Sequence, residues 1–206
     1  MKIAGINGSP RKGKNTAYLV EKALEGARAM EAETEMIDLV DFRIEHCNGC
    51  NHCVTHDECP IDDGMDSVVN LLLDADGIII GTPVYHLSVS GLLKDFMDRS
   101  RYLKMVEFKM KNKVGGAIAV AGLRNGGQEL ALNALYNYFL GLGMIVVGPA
   151  TDGLRTTMGG IGTLYKGIDP ENGRIYYQRS SDDILAVDSC FALGKRVAEV
   201  AGAIFS

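Results

Sequence analysis

Four cysteines stand close together in the first third of the chain. The 206-residue sequence contains five cysteines, and four of them, Cys47, Cys50, Cys53 and Cys59, form the pattern Cys-x2-Cys-x2-Cys-x5-Cys. Three thiolates spaced three residues apart can enclose one face of a cubane, and a fourth can close it. Because structural zinc usually binds two separated Cys-x2-Cys pairs, the compact run favours an iron–sulfur cluster.

Two other interpretations of the cysteine run stay open. The thiolates could bind zinc, with His46, His52 or His56 as a substitute ligand, or the run could bind no metal. We otherwise expect these histidines to be solvated loop residues. The fifth cysteine, Cys190, lies in a predicted helix and is expected to be a buried apolar thiol.

A glycine-rich loop near the start of the chain is the second feature that could do chemistry. Residues 3–16 read Ile-Ala-Gly-Ile-Asn-Gly-Ser-Pro-Arg-Lys-Gly-Lys-Asn-Thr, so a short apolar strand enters a loop of glycines, hydroxyls and cations that opens onto an amphipathic helix. Backbone N–H groups and the positive end of the helix dipole then converge, which predicts a phosphate site. The alternative is a helix that Ser or Asn merely caps after a tight turn.

This loop nearly spells the P-loop of nucleoside triphosphatases, but three features argue against that class. Asn15 stands where a Ser or Thr should bind magnesium, and Pro10 lacks an amide that a P-loop would direct at the phosphate. The Walker-B lookalike at residues 71–74 lies in a predicted helix rather than a strand. Hydroxyls, a guanidinium and helix N-terminal amides can instead bind a terminal phosphate dianion without metal.

Regular elements must position these two features, and hydrophobic periodicity predicts an alternation of strands and helices. Residues 77–80, Gly-Ile-Ile-Ile, show no polar alternation, which is typical of a central parallel strand that is covered on both faces. Strands are predicted at the start of the chain and at 34–39, 76–81, 113–121 and 144–147. Helices are predicted at 16–30, 63–74, 90–103, 127–140 and 182–203.

Five strands that alternate with five helices indicate an α/β protein with a doubly wound parallel sheet and right-handed crossovers. A single phosphate loop after the first strand, with no acidic residue placed for a ribose, favours the strand order 2-1-3-4-5. We expect one domain over residues 1–206, with a cysteine-rich insertion at about 41–62, called the cysteine segment below. Ligands of such sheets lie beyond the carboxyl ends of the strands, here between strands one and three.

Two motifs carry a resemblance to known families. The pattern Asn7-Gly8-Ser9-Pro10-Arg11 followed by Asn15-Thr16 resembles the phosphate loop of the flavodoxin-like NAD(P)H-dependent FMN reductases. That resemblance implies a flavodoxin-like fold in which the terminal phosphate of FMN is bound by Ser9, Arg11, Asn15 and Thr16. The compact cysteine motif resembles that of the iron–sulfur flavoproteins, in which a [4Fe-4S] cluster accompanies FMN. The second resemblance covers nearly the whole chain.

Two further loops are predicted to meet the flavin ring at the same edge of the sheet. In residues 81–86, Pro83 stiffens the turn, the amides of residues 82–85 could bond the ring, and Tyr85 offers an aromatic face. Residues 122–129 are glycine-rich, which permits close approach of a flat ligand. The alternatives are an aromatic-capped strand end and a flexible helix N-terminus. The candidate ring contacts are Thr82, Pro83, Val84, Tyr85, Gly122, Gly126, Gly127, Gln128 and Glu129.

These features together predict an FMN-dependent oxidoreductase that passes electrons from a reduced donor, NAD(P)H or ferredoxin, to a small-molecule or redox-protein acceptor. No side chain stands out as a general acid, and none is assigned. The alternatives are an NAD(P)H-dependent FMN or quinone reductase without a cluster, and a non-catalytic electron carrier that docks to partner proteins. The resemblance also implies a homodimer or homotetramer. Residues 150–181 are expected to be functional or interfacial, with residues 156–160 near a flavin, or else an exposed loop.

Composition excludes several classes of partner. The formal charge of −5 provides no basic footprint for nucleic acid or an anionic membrane. The sequence shows neither a secretory signal nor an apolar run of membrane-spanning length. We therefore expect a cytoplasmic protein, in which clustered thiols indicate a metal or redox site rather than disulfides.

Overall fold

A parallel sheet forms the centre of the fold, and the computed structural model describes residues 1–150 and 158–205. Its first five strands are β1 Lys2–Asn7, β2 Glu33–Asp38, β3 Gly77–Pro83, β4 Val114–Ala121 and β5 Ile145–Val146. They stand in the order β2-β1-β3-β4-β5, and every pairing among them is parallel. This confirms the predicted order 2-1-3-4-5.

Strand β6, Gly160–Thr163, adds a sixth strand that the hydrophobic pattern did not indicate. It pairs in parallel with the carboxyl half of β4, from Ile118 to Ala121, whereas β5 pairs only with Val114 and Gly115 at the other end. Two short strands thus share one edge of the sheet. Because β6 contains two glycines and no apolar run, its extended form depends on pairing with β4 rather than on local propensity.

Helices cover both faces of the sheet. They are α1 Asn15–Arg28, α2 Met65–Leu73, α3 Gly91–Arg99, α4 Tyr102–Met105, α5 Gln128–Gly141 and α6 Ile184–Phe205. Ile78 and Ile80 of β3 pack with α2, α3 and α5, and Ile79 packs with α1 and α6. All of β3 is buried, because side chains that alternate between two faces both meet helices.

Helices α1 and α6 approach each other at glycines. A Cβ atom added to Gly194 would lie 1.7 Å from the carbonyl oxygen of Ala23, and one added to Gly26 would lie 2.0 Å from that of Phe191. Only glycine permits this separation between the helix backbones. The contact joins the two ends of the chain and places the segment before α6 beside the start of α1.

The predicted third helix is divided in two. Ser90 caps α3, since its side chain accepts a hydrogen bond from Leu93 N, as expected of an N-cap serine. Helix α3 ends at Arg99, and α4 follows after Ser100, whose hydroxyl donates to Met97 O (2.8 Å). Both ends of α3 are important for the site, because Ser90 lies near the phosphate loop and Arg99 near the cysteines.

Two regions outside the sheet complete the fold. The cysteine segment is irregular apart from single 3-10 turns, including His52–Val54. Strands β7, Tyr165–Ile168, and β8, Ile175–Tyr177, form an antiparallel hairpin. Its turn closes with Gly173 N donating to Asp169 O (2.9 Å). Of the residues expected near a flavin, Thr156 and Thr157 lie outside the described residues.

Candidate functional site

The phosphate loop, residues 7–16, ends at an uncapped helix N-terminus. No side chain caps α1, and its first turn carries no acidic residue. In the described part of the chain, the first hydrogen bond of α1 runs from Tyr18 N to Lys14 O (2.9 Å). The amides that precede Tyr18 in the first turn are therefore available to a ligand. Such a helix end at the carboxyl side of β1 has the geometry to bind an anion.

Neighbouring elements hold the phosphate loop in place. Gly8 N donates to Gly81 O at the end of β3 (2.8 Å), and Ser90 Oγ donates to Gly8 O (2.5 Å). Inside the loop, Asn7 Oδ1 accepts from Ser9 N (3.2 Å). The loop is thus fixed before any ligand arrives, which reduces the entropic cost of binding.

The predicted phosphate-binding residues differ in which of their polar atoms are already hydrogen-bonded within the protein. Ser9 and Thr16 are buried, and Ser9 Oγ accepts from Arg11 N (3.1 Å), which leaves its hydroxyl proton for an acceptor. Arg11 is exposed. Asn15 Oδ1 accepts from Ser180 N (3.1 Å), and Asn15 O accepts from Ser180 Oγ (3.0 Å). The Nδ2 group is therefore the half of the Asn15 amide that remains for an anion.

Thr82 shapes the site rather than facing it. Its side chain is fully buried, its Oγ1 donates to Pro83 O (2.9 Å), and the same oxygen accepts from Ser90 N (3.1 Å). These bonds connect the end of β3 with the start of α3. The threonine thus fixes the path of the loop.

The loop after β3 closes in a tight turn. Tyr85 and Ser88 exchange backbone hydrogen bonds of 3.0 Å each way, and the two residues between them have positive φ, 48° at His86 and 63° at Leu87, as a type I′ turn requires. Val84 N donates to Val120 O (2.8 Å). The amides of Val84 and Tyr85 are thus already bonded within the protein, and the half-exposed Tyr85 ring is the group left for a flat ligand.

The loop after β4 is held by its own glutamine. Gln128 is buried; its Oε1 accepts from Gly126 N (2.8 Å), and its Nε2 donates to Leu123 O (2.9 Å). Gly127 has a φ of 94°, and a Cβ atom there would lie 2.7 Å from Leu87 Cδ2. The two ring loops are therefore in contact, and Gln128 organises its loop from inside. Glu129 is exposed at the start of α5.

Sequence reasoning missed Tyr177 at this edge of the sheet. A Cβ atom added to Gly122 would find Tyr177 Cε1 as its nearest neighbour, at 3.9 Å, so the surface there is open beside an aromatic ring. Tyr177 is 62% exposed on β8. No local signal connects it with Gly122, because the hairpin reaches the loop only in the folded chain. The same holds for Ser180 and Asn15.

The four clustered cysteines line one recess, called the cysteine recess, between the cysteine segment and the ends of α3 and α4. Cys47 and Cys50 are exposed, and Cys53 and Cys59 are partly buried. Within residues 1–150 and 158–205, no three Cys, His, Asp or Glu side chains converge as ligands of one ion. The four thiols thus line the same recess, but their sulfur atoms are not arranged around a single point.

Arg99 attaches the cysteine segment to α3. Its side chain is fully buried and pairs with Asp63 through two contacts, Nη1 to Oδ2 (2.6 Å) and Nη2 to Oδ1 (3.1 Å). It also donates to the carbonyls of Glu45 (2.9 Å) and Ile61 (3.3 Å). One guanidinium therefore holds both ends of the cysteine segment.

Burial and charge pairing have opposite effects on the pKa values of Arg99 and Asp63. Burial lowers the pKa of the Arg99 guanidinium, but hydrogen bonding to Asp63 and interaction with Cys59 outweigh it, so the pKa is raised. Burial alone would raise the pKa of the Asp63 carboxyl, yet bonds from Arg99 and from the amides of Glu45 and Met65 hold it below its ordinary value of 3.8. Both groups are charged at neutral pH.

The histidines of the segment lie outside the recess. His46 Nδ1 bonds Asp95 Oδ1 (2.6 Å), which raises the pKa of His46. The rings of His52 and His56 stack with centroids 3.8 Å apart. As far as the structure describes its lining, the recess includes no histidine. Cys190 is fully buried in the apolar cluster of α1 and α6, as predicted, and burial raises the pKa of its thiol.

A family model described as NADPH-dependent FMN reductase matches residues 1–154 of this chain. The chain belongs to the NADPH-dependent FMN reductase family. It is 43% identical over 200 residues to an iron–sulfur flavoprotein of Methanocaldococcus jannaschii, with 97% of each chain covered. It is also 37% identical over 203 residues to one of Archaeoglobus fulgidus, with 98% of this chain and 96% of the relative covered. The predicted family resemblance is thereby confirmed.

Solved structures show the same fold at low sequence identity. An NAD(P)H:quinone oxidoreductase from Methanothermobacter marburgensis superimposes with a TM-score of 0.66 at 14% identity over 96% of each chain. A WrbA-like flavodoxin from Agrobacterium tumefaciens gives 0.60 at 20% identity over 98% of this chain and 97% of its own. The fold is therefore flavodoxin-like, as predicted.

Family membership makes the protein a flavoprotein oxidoreductase, which confirms that part of the prediction. The phosphate loop, the β3 loop and the β4 loop follow the carboxyl ends of their strands, the edge at which ligands of flavodoxin-like sheets lie. Throughout the described residues, no helix is both long and apolar enough to cross a bilayer.

Proposed function

We propose that this flavoprotein oxidoreductase binds FMN across the three loops, binds one [4Fe-4S] cluster in the cysteine recess, and passes electrons between a reduced donor and an acceptor. The donor is NAD(P)H or ferredoxin, and the acceptor is a small molecule or a redox protein. One observation carries this proposal: all four cysteines of the compact motif line the same recess.

The flavin half of the proposal assigns different tasks to the loop residues. Ser9, Arg11, Asn15 and Thr16 bind the phosphate together with the first-turn amides of α1. The ring lies against Tyr85 and the glycine loop, where the chain leaves open surface beside Gly122. Residues that shape the ring site without exposed donors are Thr82, Val84, Gly126, Gly127 and Gln128. Pro83 stiffens the turn, and Glu129 lies at the rim.

The residues of the recess fit an iron–sulfur cluster by chemistry. Thiolates are the ligands that such clusters require. Arg99 adds a buried cation to the lining of the recess. Its Nε is buried and has no hydrogen-bond partner among the described residues. When bound, the cluster supplies single-electron transfer and the flavin supplies both one- and two-electron transfer. The chain's own task is to hold the four sulfurs and exclude other ligands. Free thiols of this kind persist in the reducing cytoplasm, where we place the protein.

Helix α3 connects the two proposed sites. Its N-cap Ser90 bonds Gly8 of the phosphate loop, and its last residue Arg99 lines the recess. At 1.5 Å per residue, the nine-residue separation corresponds to roughly 14 Å. A short rigid helix therefore sets the distance between the flavin edge and the cysteines.

A second candidate function is an NAD(P)H-dependent FMN or quinone reductase without a cluster. It is favoured by the finding that no three potential ligands converge on one point among the described residues. Both functions place FMN in the same loops. They differ only in what the cysteine recess holds.

Analysis of iron, sulfide and FMN in one anaerobic, reconstituted preparation separates the two functions. The proposal expects one FMN, four iron and four sulfide per chain. Cys53→Ser should lose iron and sulfide but keep FMN, whereas the matched control Cys190→Ala, outside the recess, should keep all three. Stoichiometric FMN without iron in the native chain, with NAD(P)H:quinone turnover unaffected by Cys53→Ser, would establish the second function instead.

We also propose a homodimer or homotetramer. Apolar side chains are exposed on the hairpin and at the start of α6, where Tyr177 is 62%, Ile184 70% and Leu185 69% exposed. Contiguous exposed apolar surface marks protein interfaces, and Ile184 and Leu185 are neighbours at the start of α6. Light scattering coupled to size exclusion should give two or four times the monomer mass, and a monomer at micromolar concentration would refute the assignment.

A further inference from the structure

We infer that Arg99 is a positioning residue for the cysteine recess: in the cluster-loaded protein its Nε–H donates a hydrogen bond to the sulfur of Cys59 and raises the reduction potential of the cluster. This inference rests on the proposed function. It assigns to one arginine both the attachment of the cysteine segment and the tuning of the redox centre.

The first support is the count of donors on the guanidinium. Arginine carries five N–H groups, and the terminal nitrogens bond Asp63, Glu45 O and Ile61 O. Nε is buried and has no partner among the described residues. A buried donor without an acceptor is destabilising, so a native chain retains such a donor where a ligand satisfies it.

The second support is position. Arg99 lines the same recess as the four cysteines, and Cys59 lies close enough to interact with the guanidinium. Cys59 is the cysteine nearest in sequence to Ile61, whose carbonyl Arg99 binds. The arginine that fixes this end of the cysteine segment is therefore beside the last thiol of the motif.

The third support is the charge balance. Asp63 neutralises Arg99 through a two-point pair, so the net charge that the pair presents to the recess is small. The influence of Arg99 on a bound anionic cluster is then mainly a directed N–H···S hydrogen bond. Such bonds to cluster sulfurs stabilise the more negative, reduced state, which raises the potential.

The test is a reductive titration of the reconstituted protein, monitored by electron paramagnetic resonance, for the native chain and Arg99→Lys. Lysine keeps the positive charge beside Asp63 but lacks the guanidinium fork. The midpoint potential should become more negative by up to about 59 mV, which corresponds to a tenfold change in a one-electron equilibrium. Arg196→Lys is the matched control, since Arg196 pairs with Glu199 on α6 (2.9 Å) and is not among the residues that line the recess; its potential should equal that of the native chain.

A second measurement needs no variant and keeps the inference testable if Arg99→Lys fails to fold. Native protein labelled with 15N-arginine should show a nitrogen coupling to the reduced cluster in pulsed electron paramagnetic resonance. A loaded native cluster with no arginine coupling, or an unchanged potential in folded Arg99→Lys, overturns the role of Arg99 alone. A native chain that binds no iron after reconstitution overturns the proposed cluster and, with it, this inference.

Discussion

The phosphate loop and the cysteine segment are attached to the fold in different ways. The phosphate loop is bonded at several points to different elements, through Gly8 to β3 and α3 and through Asn15 to the segment before α6. The cysteine segment is irregular, and its two ends meet at one ion pair between Arg99 and Asp63. Loss of one bond should therefore change the first region slightly and the second region greatly.

The largest effect is expected from the removal of Arg99, on which the attachment of the cysteine segment depends. Arg99→Ala leaves the buried Asp63 carboxylate unpaired, and we expect the free energy of unfolding to fall by about 3–5 kcal/mol. Urea denaturation of the metal-free protein measures this value. Arg101→Ala, which among the described residues removes one side-chain hydrogen bond, to Asn51, should cost less than about 1 kcal/mol. Equal effects of the two substitutions would show that Arg99 is not the main attachment of the segment.

A backbone substitution tests the contact between the two ring loops. Gly127→Ala places a methyl group 2.7 Å from Leu87 Cδ2 at a φ of 94°, so stability should fall by about 1–3 kcal/mol. FMN affinity should fall with it, as measured by fluorescence titration of the apoprotein. Gly91→Ala is the control, since a Cβ atom there meets nothing within 4 Å. A native-like Gly127→Ala would mean that the loops are less closely packed than described.

Removal of the Ser9 hydroxyl tests the contribution of the phosphate loop to FMN binding. Ser9→Ala removes a buried side chain whose oxygen accepts from Arg11 N and whose proton is free for phosphate. The dissociation constant for FMN should rise roughly tenfold, about 1.4 kcal/mol, because the remaining donors stay in place. Ser181→Ala, an exposed neighbour of Ser180, should bind FMN like the native chain. Equal affinities in Ser9→Ala and the native chain would exclude Ser9 from the site, and iron content should be unchanged throughout.

The smallest expected effect is the pH dependence of the Arg99–Asp63 pair. The folded pKa of Asp63 lies below its ordinary value of 3.8, so the stability contributed by its charge is fully present above about pH 4 and is lost as pH falls through the folded pKa. Denaturation curves from about pH 5 down to about pH 2 should show this loss, and Asp63→Asn should remove that part of the slope. A slope that persists in Asp63→Asn would assign the effect to other carboxyls.

Local patterns in the chain were sufficient for much of the fold and for the location of both candidate regions. The apolar run of β3 predicted a strand covered on both faces, because burial on two sides removes polar alternation. Ser90 was predicted at the start of α3, since N-caps depend on neighbouring residues. Asn15 distinguished the phosphate loop from a P-loop, and the cysteine spacing by itself indicated a metal or redox site.

Only the tertiary structure decided which side chains face a ligand and which hold the loops. Asn15 and Ser180 are separated by 165 positions in the chain, Tyr177 reaches Gly122 through a hairpin, and Arg99 binds Asp63 over a separation of 36 positions. Gln128 and Thr82 lie in the predicted loops but point into them. Periodicity, caps and motif spacing are properties of neighbouring residues, whereas hydrogen-bond partners and burial depend on which distant segments pack together, and that is determined by the fold.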